Sequence, residues 1–200
     1  ACIGMGWWSD VLADAIQRSG KLEIVSCYSR SEEKRKKFAE KYRCRPAESY
    51  EAMLADAAVE AIVNTTPNDA HLATTGAAAS AGKHVFSEKP LAVDFEQGRK
   101  LVDEAEARGL HLGCAPDTFL GPGLQNARRM IERGDIGRPL TASVVFQTPG
   151  PHLWHPNPDF LYQPGGGPLF DMAPYYLTAL AQIFGPLAGV AALGSTAATT

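Results

Sequence analysis

The chain has no apolar run long enough to cross a bilayer, and its opening residues, ACIGMG, lack the basic start and apolar middle of a signal peptide. A soluble, cytoplasmic protein with no membrane partner is expected. It also lacks a strong charge of either sign: 19 Lys and Arg face 22 Asp and Glu, for a net charge of −3. The one basic run, Lys34-Arg35-Lys36-Lys37, directly follows Glu32-Glu33 in a helical pattern, so it reads as a solvated helix face rather than a nucleic-acid patch. No nucleic-acid partner is expected. Cysteine is sparse: Cys2, Cys27, Cys44 and Cys114 form no C-x-x-C pair and no His-spaced ligand set, so neither a metal site nor a disulfide framework is indicated. Internal repeats and low-complexity tracts are absent as well.

What is present is an ordinary globular composition, 45% hydrophobic and 20% charged over 200 residues, enough for one full α/β domain and part of a second. Both ends read as cut. Only Ala1, Cys2 and Ile3 precede the first glycine turn, where a strand of about five residues is usual, and the tail stops in GSTAATT where the start of a new strand is expected. A fragment of a longer enzyme is therefore expected.

Between these ends strands and helices alternate. Helical spacing runs from Val11 to Ile16, a strand from Leu22 to Cys27, and a charged helix from Ser31 to Tyr42 with its acids early and its lysines late, the order the helix dipole favours. A short helix at Ser49–Ala55, a strand at Ala61–Thr65 and an Ala-rich helix at Asp69–Ala81 follow. The series closes with a strand at His84–Ser87, a helix at Asp94–Arg108 and a strand at Leu110–Cys114. Short connections between alternating elements predict a doubly wound parallel sheet over residues 1–118. Right-handed crossovers then bring the loops after each strand to one edge. After Thr118 the character changes. A helix at Pro122–Arg133, a strand at Leu140–Gln147, a Pro- and aromatic-rich loop, Gly165-Gly166-Gly167 and another helix mark residues 119–200 as the start of a second domain.

Gly4-Met-Gly6-Trp7-Trp8-Ser9, between strand and helix, fits the dinucleotide fingerprint. The first glycine makes the turn and the second lets pyrophosphate approach the backbone. The helix N-terminus supplies N–H donors, and Ser9 stands where Gly or Ala is usual. Beyond the second strand, where NAD enzymes place an acid, the chain has Tyr28-Ser29-Arg30. A hydroxyl and a guanidinium suit the 2′-phosphate of NADP, with Lys34 adding charge; Arg30 could equally be a surface residue stacked on adenine, so NAD stays possible. Thr66-Pro67-Asn68 and His71 end the next strand, as cofactor contacts or as a helix cap and a packed ring. Glu88-Lys89-Pro90 ends the one after; Glu88 and Lys89, like Trp7 and Trp8 of the first turn, are candidate cofactor contacts, and a lysine at that edge asks for a role.

Together GMGWWS, TTPNDAH, AGKHVFSEKPLA, GDIGRP and GGGPLFDMAPYY resemble the Gfo/Idh/MocA oxidoreductases, a likeness that runs over nearly all 200 positions. The resemblance implies an N-terminal Rossmann domain and a C-terminal α+β domain with a large open sheet, here incomplete. It also implies hydride transfer between nicotinamide and a hydroxyl-bearing carbon of a sugar, cyclitol or related alcohol, and a homo-oligomer when full length. Lys89 matches the family's catalytic lysine, in a turn shaped by Glu88 and by Pro90 with a peptide bond that can be cis. Asp171-Met-Ala-Pro-Tyr175 matches the other half of the site, with tyrosine where the commoner pattern has histidine.

On that reading Asp171 caps a new helix and shares a face with Tyr175. Lys89 polarises the substrate oxygen, Tyr175 exchanges its proton with the lysine charge favouring phenolate, and Asp171 orients both. The bland alternatives are a plain N-cap for Asp171 and a packed aromatic for Tyr175. Asp117, Trp154, His155 and Tyr162, with Phe160, are candidates for lining a sugar pocket, or ordinary loop packing. A regulator that senses nucleotide and sugar without turnover is the competing reading on the same fold.

Overall fold

The computed structural model describes residues 1–195. Six parallel strands run in the order β3-β2-β1-β4-β5-β6: β1 Cys2–Ile3, β2 Ser26–Tyr28, β3 Arg45–Pro46, β4 Ala61–Asn64, β5 His84–Ser87 and β6 Leu112–Cys114. The order reverses at β1, so the ligand crevice of such a sheet lies beyond the ends of β1 and β4. Register there is tight, with Ile3 opposite both Tyr28 and Asn64.

Both faces are covered, as a parallel sheet requires. Neighbouring residues of β1 point to opposite sides. Cys2 therefore packs with Ala13, Ile24, Cys27 and Phe38 under helices α1 (Trp7–Ser19) and α2 (Glu32–Tyr42), while Ile3 packs with Met53, Val59, Ile62, Ala78 and Val85. That second layer is carried by α3 (Tyr50–Ala55) and α4 (His71–Ser80), and α5 (Phe95–Ala107) follows β5. The helices start where their caps say: Ser31, Ser49 and Asp94 each accept an N–H from the first turn of α2, α3 and α5. Glu32 and Glu33 pair with Lys36 and Lys37 one turn on, so the basic run is a solvated helix face.

The strand expected at Leu22–Cys27 lies later, at Ser26–Tyr28. Its ladder begins with Ser26 opposite Arg45 of β3, β1 pairs with Cys27 and Tyr28, and Leu22 is left 65% exposed outside the ladder. The edge strand β3 was not anticipated; it is two residues long and contains a proline, which only an edge tolerates.

The chain divides into two compact units. One joins Ala1–Pro116 with Thr148–Pro174; the other joins Asp117–Gln147 with the chain from Tyr175. The first unit thus includes α7 (Gly167–Asp171) and the aromatic loop before it. The second holds α6 (Pro122–Glu132) and most of α8 (Ala173–Phe184), joined by Arg128 Nη1 donating to Gln182 Oε1 at 3.0 Å, and Phe146, beyond α6, packs against Tyr176 of α8. The strand expected at Leu140–Gln147 does not form. Among the described residues of that unit no other strand is present to complete a ladder, and Leu140 and Val145 are 81% and 77% exposed. The tail GSTAATT falls largely outside the described residues.

Candidate functional site

The turn after β1 is shaped for close approach. Gly4 has φ +86°, its N–H donates to the Tyr28 carbonyl at 3.1 Å, and a Cβ there would lie 2.6 Å from the Thr65 carbonyl carbon and oxygen. Thr65 locks the turn from the other side, its hydroxyl donating to the Gly4 carbonyl at 2.5 Å. Gly6, by contrast, faces open space and caps α1 without a side chain. Ser9 is buried and donates to the Gly6 carbonyl at 2.6 Å, which explains why a small hydroxyl replaces the usual Gly or Ala. An uncapped helix N-terminus behind an unobstructed glycine fits a pyrophosphate, as a dinucleotide requires.

Beyond β2, Ser29 is half-buried and Arg30 exposed, with Lys34 exposed in the first turn of α2. Arg35 was missed by sequence reasoning. It lies over the Tyr28 ring at 5.6 Å and donates to the Ser29 carbonyl at 3.3 Å, so it holds the loop that presents Ser29 and Arg30.

The β4 edge is organised by a residue the sequence did not single out. Asn64, fully buried, donates to the His71 carbonyl and the Thr75 hydroxyl, and accepts from both the N–H and the hydroxyl of Thr66. A polar end to the apolar strand Ala61-Ile-Val was the available signal. His71, expected among the cofactor contacts, is 1% exposed. Its ring bridges the Pro90 carbonyl (Nδ1, 2.7 Å) and the Thr66 carbonyl (Nε2, 2.6 Å), so both nitrogens are taken by the protein and the residue braces two loops instead of meeting a ligand. Asn68 reaches the Gly165 carbonyl at 3.3 Å, and Pro67 is exposed beside it.

At the end of β5, Lys89–Pro90 is cis. Lys89 Nζ forms an ion pair with Asp171 Oδ1 and also donates to the Asp171 main-chain carbonyl at 2.7 Å. The two side chains are only 13% and 20% exposed. Asp171 is not the helix cap that was expected. Pro168 starts α7 early, and Asp171 becomes its last residue, before Met172 interrupts the helix. That break is what frees its carbonyl, since the last carbonyls of a helix have no partner within it. Pro174 sits in the first turn of α8 and Tyr175 follows, half-buried.

Glu88 and Trp8, both read as cofactor contacts, touch each other: the indole Nε1 donates to Glu88 Oε1 at 2.5 Å. Trp7 stands edge-on to Trp8 and is 54% exposed. The aromatic loop forms its own cluster, with Trp154 and Phe160 edge-on to His155, and His152 Nδ1 2.7 Å from the Tyr162 hydroxyl. Half or more of Trp154 and about half of Tyr162 stay open to solvent. Asp117 lies in the other unit and is exposed. Among the described residues no group of three or more His, Cys, Asp or Glu is placed to hold a metal ion, and no helix is long and apolar enough to cross a membrane.

A family model described as an oxidoreductase family with an NAD-binding Rossmann fold matches residues 1–115, and a GFO/IDH/MocA C-terminal domain model matches residues 124–200. The 1,5-anhydro-D-fructose reductase of Ensifer adhaerens is 35% identical over 164 residues, 79% of this chain and 47% of that protein. Among solved structures, a 3-ketoreductase from Actinomadura kijaniata in complex with NADP and TDP-benzene is similar at 30% identity and TM-score 0.81, over 92% of this chain and 56% of that one. The WlbA dehydrogenase of Bordetella pertussis, in complex with NADH and UDP-GlcNAcA, is similar at 28% identity and TM-score 0.80, over 92% and 59%. The chain spans about half the length of these relatives.

Proposed function

Because the chain belongs to the Gfo/Idh/MocA oxidoreductases, we propose that it acts with NADP to move hydride to or from a hydroxyl-bearing carbon of a sugar, cyclitol or related small alcohol. The observation that carries this reading is the Lys89–Asp171 pair at the end of β5, on the sheet edge that also presents the Gly4–Gly6 turn. A surface lysine in a turn has no reason to be shielded and aimed at a carboxylate. An ammonium that can hydrogen-bond a substrate oxygen has one, because it stabilises the negative charge that develops there.

The residues fit a dinucleotide, and nicotinamide supplies or receives the hydride when bound. Gly6 and the α1 N-terminus take the pyrophosphate, and Thr66, Pro67 and Asn68 border the same crevice. Ser29 and Arg30, with Lys34, meet the 2′-phosphate; no acid stands at that position to favour a free ribose hydroxyl. Lys89 polarises the substrate oxygen, Asp171 holds the ammonium and orients substrate, and Tyr175 exchanges the hydroxyl proton. Trp154 and Tyr162 offer aromatic faces to the CH groups of a ring, with His155 and Asp117 for its hydroxyls. A sugar-type substrate is consistent with relatives named for an anhydro-sugar and for a ketosugar, and a homo-oligomer with the family.

The test is a hydride-transfer screen on the natural chain: NADPH with keto- and anhydro-sugars, and NADP with sugars and cyclitols, followed by nicotinamide absorbance. Turnover that Lys89→Met abolishes while cofactor binding persists supports the proposal. Persistent binding with no turnover across the panel favours the sensing regulator instead.

A further inference from the structure

Trp8 and Glu88 are 80 positions apart in sequence, one in the first turn of α1 and the other in the turn after β5. The Trp8 indole N–H donates to one oxygen of the Glu88 carboxylate, at 2.5 Å, and the other oxygen, Oε2, accepts the main-chain N–H of Lys89 at 3.3 Å. The Glu88 main chain is fixed independently, its N–H donating to the Asn64 carbonyl at 2.9 Å. The carboxylate is therefore the adjustable part of the turn, and Trp8 decides where it points. Trp8 is also the second residue of α1, directly behind the glycine turn. Any large apolar side chain could fill that space, but only tryptophan there brings an N–H to a half-buried carboxylate, a charge-assisted bond stronger than a neutral one.

We propose that Trp8 is a positioning residue for Lys89: through Glu88 it ties the phosphate-binding end of α1 to the backbone of the lysine, whose ammonium is then held by Asp171. The catalytic consequence rests on the hydride-transfer reading above; the link itself does not. Pyrophosphate bound at the α1 N-terminus fixes Trp8, and with it the turn from which Lys89 reaches substrate.

Trp8→Phe keeps an aromatic ring and removes the N–H. Its NADPH dissociation constant should stay within about twofold of wild type while kcat falls about tenfold, the scale expected of a small misplacement of a reacting group. Glu88→Gln should cause a similar loss, and the double variant little more than either single one. An equal loss of NADPH affinity and turnover in Trp8→Phe would make Trp8 a plain phosphate-site residue and overturn the proposal. A readout free of turnover uses the indole N–H signals of ¹⁵N-labelled protein. In wild type the Trp8 proton should exchange with solvent more slowly than those of Trp7 and Trp154, which are 54% and 59% exposed. It should shift in Glu88→Gln while the other two stay. A fast-exchanging Trp8 proton, or one indifferent to Glu88, overturns the link. Failure of every substrate with the link intact would instead remove the hydride-transfer reading.

Discussion

Lys89 donates to both the carboxylate and the main-chain carbonyl of Asp171, a residue 82 positions further along the chain. The carbonyl contact survives in Asp171→Asn, but the charge partner does not, and the ammonium stays shielded. The Asn amide oxygen can still accept from the ammonium, so the change replaces a bond between charged groups, worth about 1.5–3 kcal/mol, by a weaker one with a neutral acceptor. The variant should unfold at lower urea with an unchanged m-value, and its kcat should drop at least tenfold more than its NADPH affinity. An Asn variant as active as wild type would remove Asp171 from the site.

Gly4 and Gly6 should separate fold from cofactor. Gly4→Ala places a methyl against the Thr65 backbone at positive φ, and strain of about 1–3 kcal/mol is expected from the conformation alone, before the clash. Gly6→Ala meets nothing within 4 Å, so it should cost about 1 kcal/mol or less, as an N-cap change, yet weaken dinucleotide binding by filling the approach. Urea denaturation and cofactor titration of the two variants check this division.

The Gly165-Gly166-Gly167 turn should behave like Gly4. A Cβ on Gly166 would sit 2.6 Å from the Leu161 carbonyl oxygen, and one on Gly165 2.4 Å from a Val93 methyl. Gly166→Ala should therefore displace the start of α7 and lower turnover through Asp171, as steady-state kinetics of the variant would read. A fully active Gly166→Ala would show that the turn is not needed to place α7.

Much of this was legible because the signals were local. The glycine turn, the apolar strands β4 and β5, and the helix starts at Ser31, Ser49 and Asp94 follow from neighbours in sequence. What escaped depends on partners far along the chain. β2 begins at Ser26 because Arg45 of the edge strand β3 is there to pair with it, and β1 pairs with the two residues that follow. Asp171 ends a helix instead of starting one because α7 already begins at Gly167, with Pro168 in its first turn. His71 looks like a ligand on an edge loop, and only the folded chain shows both its nitrogens spent on Thr66 and Pro90. The tie between Trp8 and Glu88 had no signal in either motif taken alone.

The thiols offer a check on the sheet. Cys27 is buried and donates its S–H to the Arg35 carbonyl at 3.6 Å, and its side-chain interaction with Cys44 raises the first thiol and lowers the second. Burial, with the Glu88 charge, pushes Cys114 up to about 11, and burial pushes Cys2 to about 11. A lowered thiol holds more thiolate at a given pH, and thiolate is the nucleophile. Iodoacetamide near neutral pH should therefore label Cys44 first, with Cys114 following only as the pH rises; mass spectrometry of the labelled chain reads the order. Labelling of Cys27 first would contradict the packing of β2 against α2.

The most direct measurement of the central claim is a titration of the natural chain with NADPH and with NADH, followed by cofactor fluorescence. The account predicts NADPH bound at least tenfold more tightly, a difference of about 1.4 kcal/mol, and a preference that shrinks in Arg30→Ala. Equal affinity for the two cofactors, or no binding of either, would contradict it.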